Sequence, residues 1–166
     1  MEKAKTISRA SSIRLGGSLE QVFPLFGPIR EKEWAEGWNP RMVRSYPDPI
    51  AEHMVFQTES DHPEAPNPAT WIVSKYDPEH WSIEYTVFTQ ARIWWISVKC
   101  RDEGADGTIA HIEYTYLGLD EEAARLNQAA LESMFHDDLK DWEHAINHYL
   151  KTGTALRHGH DRHGKR

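Results

Sequence analysis

Short segments rich in aromatic and β-branched residues fill the middle of the chain, between Arg41 and Gly118. Clusters of Pro, Gly, Asp and Ser separate these segments, as expected for strands joined by turns. The pattern predicts strands at about residues 42–46, 53–59, 69–76, 81–88, 91–101 and 108–117, after an extended stretch at residues 6–15. Successive strands joined by short connections predict an antiparallel meander.

Helical patterns lie on both sides of this strand-rich region. Ser18 followed by Gln21 forms a capping box, which predicts that a short helix begins there, and a second short helix is predicted from Pro28 to about Ala35. One long helix is predicted from Asp120, its N-cap, to Thr152. Its apolar stripe has to cover one face of the sheet, which predicts an α+β fold. The stripe contains Ala124, Leu131, Phe135, Trp142, Ala145, Ile146 and Tyr149.

The order of these elements resembles the helix-grip fold of the START-related (SRPBCC) superfamily, specifically its polyketide cyclase/dehydrase-like members. Residues 17–23 (GSLEQVF), 37–40 (GWNP), 81–85 (WSIEY) and 107–116 carry the resemblance, which extends over residues 7–151. It implies a curved antiparallel sheet of about seven strands, two short helices, and a long C-terminal helix packed across the sheet above an apolar cavity. Members of the superfamily include lipid and hormone binders, aromatase/cyclases, hydrolytic enzymes and chaperone co-factors, so the scaffold implies no single reaction.

Length, charge and cysteine content narrow the class of protein. The 166 residues fit a single domain, which we place at residues 1–152, followed by a basic, His-rich tail at 153–166 that we expect to be mobile. The net charge is −7, which disfavours nucleic acid as a partner. The longest apolar run, residues 93–98, is too short to span a membrane. Cys100 is the only cysteine, and the chain does not start with a secretory signal, so we expect a cytoplasmic location.

Asp138 is the most informative candidate for chemistry. It lies between Phe135 and Trp142 on the predicted apolar stripe, where a carboxylate is costly unless it is paired or hydrated. Asp138 is therefore either an acid, base or hydrogen-bond partner in the cavity, or a structural carboxylate that accepts hydrogen bonds from neighbouring side chains or backbone amides. The sequence alone leaves both interpretations open.

Side-chain alternation along the predicted strands directs a set of aromatic residues towards the long helix. A wall of this kind suits a planar aromatic or other apolar ligand, and core packing is the alternative interpretation. The predicted ligand-binding residues are Trp71, Tyr85, Trp94, Tyr114, Tyr116, Phe135, Asp138 and Trp142. Trp34 and Trp38 lie near the expected cavity mouth. They either form a lid over the ligand or anchor the two short helices to the sheet. His111 and Glu113 fall on the opposite face of their strand and are predicted to form a surface pair; with the strand phase shifted by one residue they would instead enter the cavity as a general acid–base pair.

The ten histidines raise the question of a metal site. Asp137, Asp141, His144 and His148 share one helical stripe, but that stripe points away from the apolar face, so we predict neither a metal nor a cofactor. The histidines at 158–163 are interpreted as part of a solvated tail. Nucleotide-binding, serine-hydrolase and zinc-protease motifs are absent from the sequence.

Three functions remain open at this stage. The first is binding of one small apolar molecule, aromatic or lipid-like, between the sheet and the long helix. The second is a cyclase or dehydratase in which Asp138 moves a proton while Tyr85 or Tyr114 stabilises an enolate oxygen. The third is a protein-interaction module of the chaperone co-factor type, with an exposed tryptophan patch. The sequence is compatible with a monomer or a homodimer.

Overall fold

Seven strands form one antiparallel sheet in the computed structural model, which describes residues 6–59 and 68–157. Their order across the sheet is β1-β7-β6-β5-β4-β3-β2, so the meander closes by pairing the first strand with the last. The strands are β1 (Thr6–Leu15), β2 (Arg41–Arg44), β3 (Val55–Thr58), β4 (Ala69–Asp77), β5 (Ser82–Phe88), β6 (Arg92–Asp102) and β7 (Thr108–Gly118). The predicted strand at 53–59 begins later because His53 has a positive φ of 69° and forms a turn.

The short helices between β1 and β2 follow the predicted positions only in part. Helix α1 (Leu19–Val22) begins at Ser18, and both hydrogen bonds of the capping box with Gln21 are present. A 3₁₀ helix, Phe23–Phe26, follows it directly. The second predicted helix is wrong in extent, since only the 3₁₀ helix Arg30–Glu33 forms. The amides of Lys32 and Trp34 bond to carbonyls three residues back, at Ile29 and Glu31, which is the 3₁₀ pattern.

The long C-terminal helix is interrupted by a π turn. Helix α2 (Glu121–Ser133) begins at Asp120, whose carboxylate accepts a 2.7 Å hydrogen bond from the Ala123 amide. The π turn Met134–Asp138 follows, and helix α3 (Leu139–Thr152) ends at Gly153, whose φ is +73°. The predicted long helix is therefore confirmed from Glu121 to Thr152, with a π turn in place of regular α-helix at Met134–Asp138.

The buried face of this helix differs from the predicted stripe at several positions. Ala123 is buried in place of Ala124, and Tyr149 is only half-buried. Around the π turn, Leu139 takes a fully buried position while Asp138 is half-buried. A π turn contains one more residue than an α turn, so it changes which side chains face the sheet.

The core lies between the concave face of the sheet and the C-terminal helix. The predicted strand phase is confirmed in β7, where Tyr114 and Tyr116 are buried while His111 and Glu113 are exposed. No helix among the described residues is long and apolar enough to cross a membrane. Residues 158–166, which make up most of the predicted tail, lie outside the described part of the chain, as does most of the predicted β3–β4 connection.

Candidate functional site

A continuous set of aromatic side chains covers the concave face of the sheet, and we call it the aromatic layer. Its rings meet mostly edge to face, a preferred geometry of aromatic pairs, with Trp71 and Trp94 6.5 Å apart between centroids and Trp94 and Tyr116 6.0 Å apart. Tyr114 connects the sheet to the helix through ring contacts with Phe135 at 5.9 Å and Trp142 at 6.4 Å. The aromatic layer consists of Phe56, Trp71, Tyr85, Trp94, Tyr114, Tyr116, Phe135 and Trp142.

Two polar groups of the aromatic layer are engaged with the protein itself. The Tyr85 hydroxyl donates to the backbone carbonyl of Phe26 at 2.7 Å, and the Trp71 indole Nε1 donates to Thr58 Oγ1 at 2.9 Å. Burial raises the pKa of Tyr85 well above its usual value, so this hydroxyl keeps its proton. Because that proton is directed at Phe26, the geometry favours a structural role for Tyr85 over stabilisation of a substrate oxygen.

Asp138 lies near two other tyrosines of the layer. Burial is the main cause of the raised pKa values of Tyr114 and Tyr116, and the negative charge of Asp138 raises both further. Both hydroxyls are therefore protonated at neutral pH and are able to donate hydrogen bonds. The structure thus brings Asp138 within electrostatic reach of Tyr114 and Tyr116, whereas Tyr85 lies on β5 and is separated from Tyr114 by Ile96 of β6.

Arg92 is a charged residue on the concave face that the sequence analysis did not select. Its guanidinium carbon lies 4.7 Å from the Trp94 ring centroid and 4.6 Å from the Tyr116 ring centroid. Trp94 and Tyr116 pair directly across β6 and β7, so the half-buried guanidinium covers a cross-strand aromatic pair. Its positive charge lowers the pKa of Tyr116, although burial outweighs this effect. Alternation along β6 places Arg92 on the same face as Trp94, and this signal could have identified it.

Helix α2 packs closely against the end of β7, next to Arg92. A Cβ atom on Gly118 would lie 2.4 Å from the Ala124 nitrogen, so only glycine allows this approach. The buried Asn127 amide fits here when its oxygen accepts from Gly118 N at 3.2 Å and its nitrogen donates to Ala123 O at 3.1 Å. The opposite amide orientation would instead accept a 3.4 Å hydrogen bond from Arg92 Nη1. The first orientation satisfies the backbone groups of Gly118 and Ala123. In this orientation the Asn127 nitrogen, which cannot accept a hydrogen bond, lies on the side of Arg92.

The two tryptophans near the expected cavity mouth differ in their environment. Trp34 is 1% exposed, and its indole donates to the Leu25 carbonyl at 2.7 Å, so it anchors the short helices and is not part of an exposed patch. Trp38 is half-buried and donates to the Pro28 carbonyl at 2.7 Å. Its ring centroid lies 5.4 Å from that of Trp71, so it covers one edge of the aromatic layer.

Two pockets among the described residues open on the protein surface. One, of about 260 Å³, lies on the outer face of the sheet around Trp95, Glu84 and Glu113. The other, of about 650 Å³, lies where the end of β1 meets the last turns of α3. Neither pocket is lined by a residue of the aromatic layer, whose side chains contact one another. A ligand bound within the aromatic layer would have to displace side chains. The larger pocket is lined by Arg14, Leu15, Gly16, Asp106, His144, Asn147, His148, Lys151 and Leu156.

Metal and thiol chemistry find little support in the geometry. Within residues 6–59 and 68–157, no three His, Cys, Asp or Glu side chains are grouped to hold a metal ion. Burial raises the pKa of the Cys100 thiol to about 12, so the nucleophilic thiolate is not formed at neutral pH.

Comparison with known proteins identifies the fold. No protein-family model matches the sequence, and a search of curated proteins gives no match. A norcoclaurine synthase point mutant from Thalictrum flavum, in complex with a transition-state analogue, matches with a TM-score of 0.70 at 10% identity, covering 92% of this chain and 99% of the other. An aromatase/cyclase from a Streptomyces species matches with a TM-score of 0.68 at 10% identity, covering 93% of this chain and 100% of the other. An uncharacterized protein from Rhizobium leguminosarum matches with a TM-score of 0.65 at 14% identity, covering 88% of this chain and 97% of the other. The chain therefore has the helix-grip fold, as the order of its elements predicts.

Proposed function

We propose that this protein binds one small aromatic or similarly apolar molecule between the sheet and the C-terminal helix. The observation that carries the proposal is the aromatic layer, which presents ring faces and edges at the centre of the concave surface. Aromatic side chains with a few placed polar groups are the usual lining of small-molecule sites. Here the polar groups are Arg92, Asp138 and the protonated hydroxyls of Tyr114 and Tyr116.

Two structural neighbours are consistent with this proposal. One structure of norcoclaurine synthase contains dopamine and hydroxybenzaldehyde, both of which carry an aromatic ring. Another neighbour is an aromatase/cyclase. Because these neighbours show the fold alone, the proposal depends on the residues of this chain.

Ligand entry in this proposal takes place at Trp38. Its indole covers the edge of the layer at Trp71 and Phe56, and it follows Gly37, whose φ of +82° allows a turn with nothing packed around it. An incoming ring would replace the contacts that Trp38 makes with Trp71. The binding free energy would come from burial of apolar area, about 25 cal/mol per Å², less the cost of displacing this side chain.

The proposal is tested by isothermal titration calorimetry with trans-cinnamamide, a neutral planar probe. We expect one molecule bound per chain with a negative heat-capacity change, because apolar surface leaves water on binding. The matched control is Trp95→Ala, which removes a half-buried tryptophan from the outer face of the sheet. Binding that is absent in the wild type, or that is lost in Trp95→Ala, would contradict the proposal.

A cyclase or dehydratase reaction in the same interior is the second candidate. The observation in its favour is that Asp138 ends a π turn, since π turns in helices are frequently found at functional sites, and that its charge acts on two protonated tyrosines. Asp138 would move the proton, and Tyr114 would donate to the developing oxyanion. With a substrate identified from native mass spectrometry of the purified protein, Asp138→Asn should abolish turnover and retain binding. Asp137→Asn, at the exposed neighbouring position, should leave turnover unchanged.

A further inference from the structure

We propose that the molecule bound in this interior carries an anionic group, a carboxylate or a chemically similar oxyanion, and that Arg92 receives it. This inference rests on the proposed function and specifies the class of ligand. The group would lie at the Trp94 and Tyr116 end of the aromatic layer, where Arg92 begins β6.

The two rings hold the Arg92 guanidinium in a fixed position. Its carbon lies within 4.7 Å of both ring centroids, a distance at which cation–π attraction is effective. The two ring planes are 87° apart, so the guanidinium can stack flat on only one of them, and the N–H groups that do not point at the other ring are directed outward. Those donors match the two oxygens of a carboxylate in a bidentate pair, which a lysine ammonium cannot reproduce.

The protein supplies few acceptors to this guanidinium. None of the ion pairs among the described residues involves Arg92. The Asn127 amide, in the orientation that satisfies Gly118 and Ala123, directs its nitrogen and not its oxygen to this side. A half-buried cation with unused donors is a favourable place for an anion, because the desolvation of the cation is offset when it is paired.

Other charges near the layer set the orientation of the ligand. The negative charge of Asp138, on the helix, acts on Tyr114 and Tyr116 and would repel a second anionic group. The anionic end of the ligand therefore points to Arg92, and a hydroxyl or other donor is favoured on the Asp138 side. Arg9 also lies over a ring, 5.3 Å from the Phe135 centroid, but it is exposed on the edge strand β1. Its charge is more strongly screened by solvent.

The test compares trans-cinnamate with trans-cinnamamide, which share a ring and a length and differ in charge. Dissociation constants are measured by calorimetry for the wild type, Arg92→Gln, Arg92→Lys and the control Arg9→Gln. We expect the wild type to prefer cinnamate by about tenfold or more, the range of a hydrogen-bonded charge pair. Arg92→Gln should remove this preference, so that the two probes bind with equal dissociation constants, Arg92→Lys should retain only part of the preference, and Arg9→Gln should retain all of it.

A measurement on the wild type keeps the test decisive where a variant does not fold. The Arg92 side-chain Nε–H resonance, assigned by its loss in Arg92→Lys or by through-bond correlation, should shift with cinnamate and stay in place with cinnamamide. Equal affinity for the two probes, or a preference that persists in Arg92→Gln, overturns the inference and leaves the proposed function intact. Binding of neither probe overturns both.

Discussion

The Tyr85 hydroxyl donates a 2.7 Å hydrogen bond to the backbone carbonyl of Phe26. This bond joins the middle of the sheet to the 3₁₀ helix Phe23–Phe26, at a position where Tyr85 is only 5% exposed. The short helices are thereby fixed against the sheet beside the aromatic layer. The position of the segment that contains Trp38 depends in part on this attachment.

Replacing Tyr85 with Phe should destabilise the fold. The Phe26 carbonyl loses this buried donor, so we expect the free energy of unfolding to fall by about 1–3 kcal/mol. Urea denaturation followed by circular dichroism measures the change. Tyr46→Phe, which removes the hydroxyl of a half-buried tyrosine outside the aromatic layer, is the matched control and should change stability by less than about 0.5 kcal/mol. Equal effects of the two substitutions would contradict the structural role of Tyr85.

Stability should decline at alkaline pH. Burial raises the pKa values of Tyr85, Tyr114 and Tyr116 in the folded state, so above the pKa of unfolded tyrosine, about 10, the folded chain binds more protons than the unfolded chain. The stabilisation is fully present below about pH 10 and falls above it by about 1.4 kcal/mol per pH unit for each such tyrosine. Urea titrations between about pH 9 and 11 measure this slope.

One tyrosine can be separated from the rest in the same experiment. Tyr114→Phe should reduce the alkaline slope by about one proton, because the unfolded chain then has one tyrosine fewer to ionise. A Cys100→Ala background removes the thiol, whose raised pKa of about 12 gives a slope of the same sign. A slope that Tyr114→Phe leaves unchanged would show that this hydroxyl ionises equally in both states.

The sequence predicts the features that depend on neighbours along the chain. The capping box of Ser18 and Gln21, the helix end at Gly153 and the alternation in β7 are each determined by local backbone and solvation preferences. The apolar stripe of the long helix predicted its packing across the sheet, and the resemblance to a known scaffold implied the same arrangement. These elements are therefore where the prediction and the structure agree.

Features that depend on contacts between distant segments were missed or misjudged. The position of Arg92 over two rings needs the register of β6 against β7, which alternation within one strand does not give. Asn127 is buried because Gly118 lets helix α2 approach the end of β7. The π turn Met134–Asp138 replaces the regular helix that local pattern alone predicts. The first two of these features shape the Arg92 end of the candidate site, and the π turn positions Asp138.

Opening the edge of the aromatic layer should speed ligand entry. Trp38→Ala exposes the Trp71 ring, so the association rate constant of trans-cinnamamide should rise several-fold. Stopped-flow measurement of tryptophan fluorescence follows the reaction. Trp95→Ala, on the outer face, should leave the rate constant unchanged. An unchanged rate in Trp38→Ala would place the entry route elsewhere.

Removing the π turn should separate its role in binding from its role in folding. Deletion of the exposed Asp137 takes out the additional residue, and an uninterrupted α-helix should form with full helical content. Phe135 and Asp138 then change their orientation, so the affinity for trans-cinnamamide should fall several-fold. Asp137→Ala keeps the residue count and should leave affinity unchanged. Unaltered affinity after the deletion would show that the π turn has no part in the site.

The central claim is that a ligand binds among the rings on the concave face of the sheet. Intermolecular nuclear Overhauser effects between bound trans-cinnamamide and assigned tryptophan side chains test this claim most directly. We predict contacts from the probe to the indole protons of Trp71 and Trp94, and none to Trp95 on the outer face. Contacts to Trp95 alone, or no contact to Trp71 and Trp94 when the probe is saturating, would contradict it.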